Sequence, residues 1–364
     1  MKPSVSVWTT SQLRYDQRIL RMIAAMESVG MEVVVWDRQT GQYPCGKIKG
    51  KWSSGPRFYL EYNYQISRLV REVHSDMHYA ADIDVMPGLM HGLRRKKKVP
   101  LLLDLHEWYP EVIELEGKPL KKRIWQWVEE KSVKRATECM TVNHSLSRIF
   151  EKKYGKSFAV VRNVPDPFLA VVSDPMVRLK NKILYYQGAL NEGRGLRKVI
   201  DWMEYLPEWR LWLAGDGDIA HELREKVRQK GLADRVVFYG RLAPEELPRL
   251  AGQATIGLNL LSGDSRSYYY SLANKYFDYI HCGLPGIHMD FPEYIDLMKE
   301  YRVGELLRDL SSEAFVNLVH QMTRSPERYI KMTERCDQAA LEYNWEKESL
   351  VLRTLLEKIA GHDR

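Results

Sequence analysis

Cysteine is scarce and unpatterned: the 364 residues contain four, Cys45, Cys139, Cys282 and Cys336, with no CxxC or Cys/His spacing. That argues against a disulfide framework or a zinc site, and reduced thiols are expected. No apolar run reaches the roughly 18 residues a membrane span needs, and Met1, Lys2 and Pro3 lead straight into a strand instead of a signal peptide. A cytoplasmic protein is expected. Low-complexity tracts and internal repeats are absent, and a composition 45% hydrophobic and 28% charged excludes disorder. The GxGxxG fingerprint is missing from the loop after the first strand, where a dinucleotide-binding enzyme would carry it.

What is present is alternation. Strands are expected over residues 5–8, 31–36, 81–86, 99–105, 138–141 and 158–161, with helices over 16–29, 64–79 and 145–153. Residues 40–57 read as a surface excursion. Pro165, Pro167 and Pro175 then break the pattern and mark a linker. Beyond it come strands at 182–187, 211–214, 235–239, 255–261 and 285–289, and helices at 196–206, from 271, and at 350–359. The length is too great for one open sheet and fits two α/β domains.

Three stretches carry chemistry. The string SRSYYYSLANKYFDYIHCGLP at 265–285 follows a buried strand, and its helix is expected to start near Ser271. The amides of Ser271, Leu272 and Ala273 would then face an anion, with Asp278 placed to accept from a sugar diol. The glycine-rich GALNEGRG at 188–195 lets backbone approach a ligand, and Arg194 stands at a helix entrance as a cation for phosphate. In VPLLLDLHEWYPE at 99–111 a buried strand delivers His106 to the carboxyl edge of a parallel sheet, where open α/β folds bind ligands. Glu107 and Glu111 are further candidates for acid/base work. Asp82 and Asp84 invite a metal reading, but one Asp-x-Asp triplet opening a strand is a weak signal, and no metal is expected. Asp16 and Arg18 read as a helix cap and a solvated ion pair.

A formal charge of +7 suits an anionic partner. Two basic clusters stand out, residues 94–98 and 118–123, the second running into Ile124, Trp125 and Trp127. Aromatics beside lysine and arginine on one helix suit an anionic membrane surface, with a solvated face as the plain alternative. No nucleic-acid motif is visible, and no nucleic-acid partner is expected.

The strings SLANKYFDY at 271–279 with Gly283 and Pro285, RGL at 194–196 and DLHEW at 104–108 together resemble family 4 glycosyltransferases, retaining enzymes of the GT-B fold. The resemblance implies two doubly wound Rossmann-like domains facing a cleft: an acceptor-side domain over 1–165, braced by a C-terminal helix at 345–364, and a donor domain over 166–344. It implies transfer of a hexose from a nucleotide-diphosphate donor to a glycan or lipid-linked acceptor in cell-envelope or exopolysaccharide synthesis, peripheral to the membrane, with no metal and no cofactor beyond the donor. His106 and Arg194 would be catalytic, the first beside the sugar and the second, with Lys275, on the departing diphosphate. Gly188, Tyr270, Ser271, Leu272, Ala273, Asn274 and Asp278 would line the donor site, and Arg241 and Leu242 the nucleobase. The chain departs from the pattern at Ala189, where many members have a basic residue, and at Tyr270, which replaces a glutamate. Those departures keep a silent nucleotide-sugar-binding subunit, or an epimerase of like architecture, as alternatives.

Overall fold

The computed structural model describes residues 2–13, 16–38, 45–48, 50–52, 54–95, 99–168 and 170–361. They form two compact units, Met1–Asn163 with Glu348–Arg364, and Val164–Lys347. The first is built on seven strands, β1 (Ser4–Trp8), β2 (Glu32–Asp37), β3 (Cys45–Lys47), β4 (Met77–Ala81), β5 (Leu101–Leu105), β6 (Glu138–Thr141) and β7 (Phe158–Val160). All pairs are parallel, in the order β3-β2-β1-β4-β5-β6-β7. Strands such as Leu101–Leu105 are buried at every position, because helices cover both faces of a parallel sheet. The chain starts in the middle, winds outward to β3, and returns to place β4 against β1. Loops leaving β1 and β4 therefore diverge, and this switch point is where such sheets open a crevice.

The second unit repeats the plan with β8 (Ile183–Gln187), β9 (Arg210–Ala214), β10 (Val236–Gly240), β11 (Ile256–Asn259), β12 (Gly286–Met289) and β13 (Gly304–Leu307), ordered β10-β9-β8-β11-β12-β13. Its switch point lies between β8 and β11. One glycine there is obligatory: a Cβ on Gly215, after β9, would sit 1.9 Å from the carbonyl oxygen of Gly188.

Several local expectations are displaced. The helix expected over 64–79 is Gly55–Glu72, since Phe58, Tyr62, Ile66 and Val70 recur every fourth residue and are all buried. The strand expected over 81–86 is Met77–Ala81, and Ile83–Val85 is instead a single 3-10 turn. β3 and β13 were not foreseen. Both are short edge strands containing glycine, too brief for alternation to show. Lys96, Lys97 and Lys98 of the first basic cluster, and Arg14 and Tyr15 of the loop after β1, lie outside the described residues.

The last helix, Trp345–Gly361, belongs to the first unit from residue 348 onward. It buries Leu352, Leu355, Leu356 and Ile359, while Glu348 accepts from the Arg162 amide at 2.7 Å and Lys358 pairs with Glu138 at 2.7 Å. Among the described residues no helix is long and apolar enough to cross a membrane.

Candidate active site

Each switch point carries a polar cluster. In the second unit the helix expected from Ser271 begins three residues later, at Asn274. Ser265 caps a separate turn, Arg266–Tyr269, which absorbs the chain before it. The amide of Ser271 therefore donates to the Tyr268 carbonyl at 3.1 Å, and that of Ala273 to the Tyr294 hydroxyl at 3.0 Å. Two of the three amides expected to face an anion are thus already used within the protein. The helix Asn274–His281 has Ala273 at its cap position, which offers no side-chain acceptor. Its opening amides, on Asn274 and Lys275, and that of Leu272 before it, have no hydrogen-bond partner among the described residues.

Lys275 stands out on physical grounds. Its ammonium is buried without a hydrogen bond or ion pair among the described residues. Burial pushes its pKa well below the usual lysine range, and Arg194 pushes the same way, with only Asp278 opposing. The nitrogen lies 4.0 Å from the centre of the Tyr186 ring, and the space beside Gly188 is also its surrounding: a Cβ there would be 3.7 Å from it. Arg194, also without a hydrogen bond to a described residue, has a buried Nε and lies 5.1 Å over the Tyr268 ring. Lys275 thus lies beside Gly188 within electrostatic reach of Arg194, and neither side chain has an ion-pair partner among the described residues. Asp278, one turn beyond Lys275, receives the Gln187 amide at 2.7 Å. Tyr270 closes the preceding turn with its own amide on Arg266 and packs its ring edge-on to Tyr269. Arg241 is exposed after β10, and Leu242 packs against the core cluster of Tyr185, Trp212 and Tyr279.

In the first unit the cluster is fully paired at its base. Arg18 is buried, not solvated as its sequence context suggests, and forks onto Asp104 at 2.9 and 2.8 Å, with a third bond to the Val161 carbonyl. The same Asp104 oxygen accepts from Tyr79 at 2.5 Å and contacts His106 Nε2 at 2.8 Å. Burial alone would raise the Asp104 carboxyl, but Arg18 and His106 hold it well below the carboxylate range. Burial would lower His106, yet Asp104 raises it to about 9. The imidazole is therefore a cation at neutral pH, its Nε2 donating to Asp104. Its Nδ1 is 3.8 Å from Asp82.

Asp82 follows β4 with φ 76° and ψ 171°, a region only glycine enters freely, which stores strain at the switch point. Burial raises its carboxyl to about 8 despite His106. Asp84 is raised by burial to about 6, accepts from Thr10 at 2.5 Å, and has a second oxygen buried without a partner. These two aspartates face His106 and Thr10, and among the described residues no group of three or more His, Cys, Asp or Glu is placed to hold a metal. Sequence reasoning took Arg18 for a solvated ion pair and Asp82 for the edge of a strand; nothing short of the β1–β4 pairing would have joined them to His106. Glu111, a candidate acid, is taken by Lys122 at 2.6 Å, whereas Glu107 is exposed.

Residues 174–342 match the family Glycosyl transferases group 1. No match was found among curated proteins. Among solved structures, a sucrose-phosphate synthase from Thermosynechococcus elongatus superposes with a TM-score of 0.82 over 99% of this chain and 100% of its own, at 14% identity. Anabaena Alr3699/HepE in complex with UDP-glucose gives 0.74 over 97% and 99%, at 16% identity. WaaG, a glycosyltransferase involved in lipopolysaccharide biosynthesis, gives 0.71 over 96% and 99%, at 14% identity. The second unit thus resembles the glycosyl transferases group 1 family over residues 174–342, on a chain whose two Rossmann-like domains have the GT-B fold.

Proposed function

We propose that the chain is a retaining, metal-independent glycosyltransferase that moves a hexose from a nucleotide-diphosphate donor to a glycan or lipid-linked acceptor of the cell envelope. The observation that carries this reading is the unpaired, buried Lys275 beside Gly188 and Arg194. Burial holds the amine back from its charge until an anion arrives, and a diphosphate would offer partners to both side chains and to the open amides of Leu272, Asn274 and Lys275. Charge develops on that diphosphate as the glycosidic oxygen leaves, so the same groups stabilise the transition state more than the ground state. Asp278 is assigned to the ribose and the backbone at Arg241 and Leu242 to the base. His106, held cationic by Asp104, is assigned to the donor sugar by the family resemblance. No enzymic nucleophile is evident, which suits a same-face mechanism in which the leaving phosphate helps deprotonate the acceptor. HepE, bound to UDP-glucose in a like fold, supports a nucleotide-sugar donor.

A peripheral membrane location is part of the reading. The helix Pro119–Arg135 exposes Leu120, Ile124 and Trp127 on either side of the run Lys121 to Arg123. Ala189 and Tyr270 favour the second reading, a silent donor-binding subunit. A thermal-shift panel of nucleoside diphosphates and their sugars tests both: one donor should raise the melting temperature, and the rise should vanish in Lys275→Met. Slow hydrolysis of that donor, lost in Arg194→Ala, separates enzyme from binder. A panel with no response sinks the proposal.

A further inference from the structure

The first unit contains an apolar groove of about 710 Å³ that the donor chemistry leaves unused. Its walls are Tyr59 and Leu60 from the helix Gly55–Glu72, Val112 and Leu115 from the turns after β5, and Ile124 and Trp125 from the helix Pro119–Arg135. Aromatic packing makes it rigid: Trp125 lies 4.6 Å from Tyr109 and 5.4 Å from Tyr59, ring centre to ring centre, and the two tyrosine hydroxyls meet at 3.1 Å. Such a volume lined by apolar side chains is the size of a small-molecule or acyl-chain site.

Its two ends differ in chemistry. At the inner end the lining includes Pro87, Tyr109 and Glu107, next to the turn that carries Asp82 and Asp84 and to His106. Asn63, also in the lining, donates to the Asp84 carbonyl at 2.8 Å, which ties the groove to that turn, and burial, helped by Asp84 and Asp82, raises the phenols of Tyr59 and Tyr109. At the outer end Lys121 lines the rim. It has no ion-pair partner among the described residues, whereas the adjacent Lys122 is bound to Glu111. Leu60 in the lining is 74% exposed and Ile124 more than half, and Leu120 and Trp127 on the helix of Ile124 are exposed as well. An apolar slot with an unpaired lysine on its rim, and beside it the turn that carries the strained Asp82 and the partly unsatisfied Asp84, is complementary to an amphiphile with a hydrocarbon chain, an anionic linkage and a hydroxyl.

We propose that this groove binds the hydrocarbon chain of a membrane-borne, anionic acceptor, with Lys121 on its phosphate and the Asp82 turn positioning the hydroxyl that receives the sugar. This rests on the glycosyltransfer reading and narrows its acceptor to a lipid. Asp82 is a positioning residue in this scheme, and its left-handed backbone holds the carboxylate at the groove's end.

The test is calorimetric titration of the full chain with dodecyl phosphate below its micelle concentration, against butyl phosphate and dodecyl maltoside. Saturable 1:1 binding of the dodecyl ligands is expected, with butyl phosphate at least about a hundredfold weaker because each buried methylene contributes. Ile124→Glu, at a site already exposed, and Val112→Trp, which fills the slot, should each weaken dodecyl phosphate about tenfold. Lys121→Glu should weaken dodecyl phosphate and spare dodecyl maltoside. Equal binding of butyl and dodecyl phosphate overturns the proposal, as does wild-type affinity in both groove variants. Donor binding is read separately by thermal shift. Were it absent while dodecyl phosphate still bound, the glycosyltransfer reading would fail and the chain-binding groove would stand.

Discussion

Two buried basic side chains, one in each unit, sit in opposite circumstances. Arg18 is forked onto Asp104 and a carbonyl, so every charge it brings into the first unit is met inside the protein. Lys275 in the second unit is just as buried and meets no carboxylate. A charge neutralised by its own fold holds neighbours in place, and here it fixes Asp104, which in turn keeps His106 protonated. A basic group left without a counter-ion is pushed toward its neutral form in the empty protein and gains its proton together with whatever anion enters. The first is architecture in service of a catalytic group, and the second is the binding energy itself.

The strongest way to break the comparison is Asp104→Ala. It strands Arg18 and His106 as like charges in the core, and should cost about 3–5 kcal/mol in urea unfolding of the first unit. A loss of less than about 1 kcal/mol would show that the pair is not holding that unit. Lys275→Met should do the reverse: a melting temperature equal to or above wild type, with affinity for the donor diphosphate lowered about a hundredfold. A variant that melts early and still binds would reverse the assignments of the two cations.

The pH dependence sharpens the contrast. The folded pKa of His106, about 9, lies above its unfolded value near 6.5, so its contribution is full below that lower value and lost as pH rises through about 9. Asp82, raised to about 8, moves the same way, since its protonated form is the one the fold favours. Stability should fall by about 1–2 kcal/mol between pH 6.5 and 9.5 and fall less in His106→Gln. Identical slopes in guanidinium titrations of the two proteins would contradict the paired network. The smallest effect expected is Gly188→Ala. Its φ of 126° makes any side chain strained by about 1 kcal/mol, and a methyl beside Lys275 should weaken diphosphate binding a few-fold in the same thermal-shift assay.

Much of this was legible in the chain. Alternating apolar runs and helical spacing gave two α/β domains. The 271–279 string with Arg194 and His106 pointed to the residues the fold sets at two sheet edges, because such motifs encode local backbone shape that travels with the sequence. Where local signals ended, so did the reading. The helix at Asn274 starts late because Ser265 caps a turn of its own, and Tyr294 takes the Ala273 amide from 21 residues away. The bond between Arg18 and Asp104 spans 86 positions, and no periodicity reports it.

The sequence by itself determined the class of fold, the order of its elements and the types of residue at each strand end, since those follow from short-range propensity and burial. Only the tertiary structure decided which charges are answered and which are not. That depends on pairing β4 with β1 and β11 with β8, which brings distant loops into one low-dielectric place where a missing partner becomes costly.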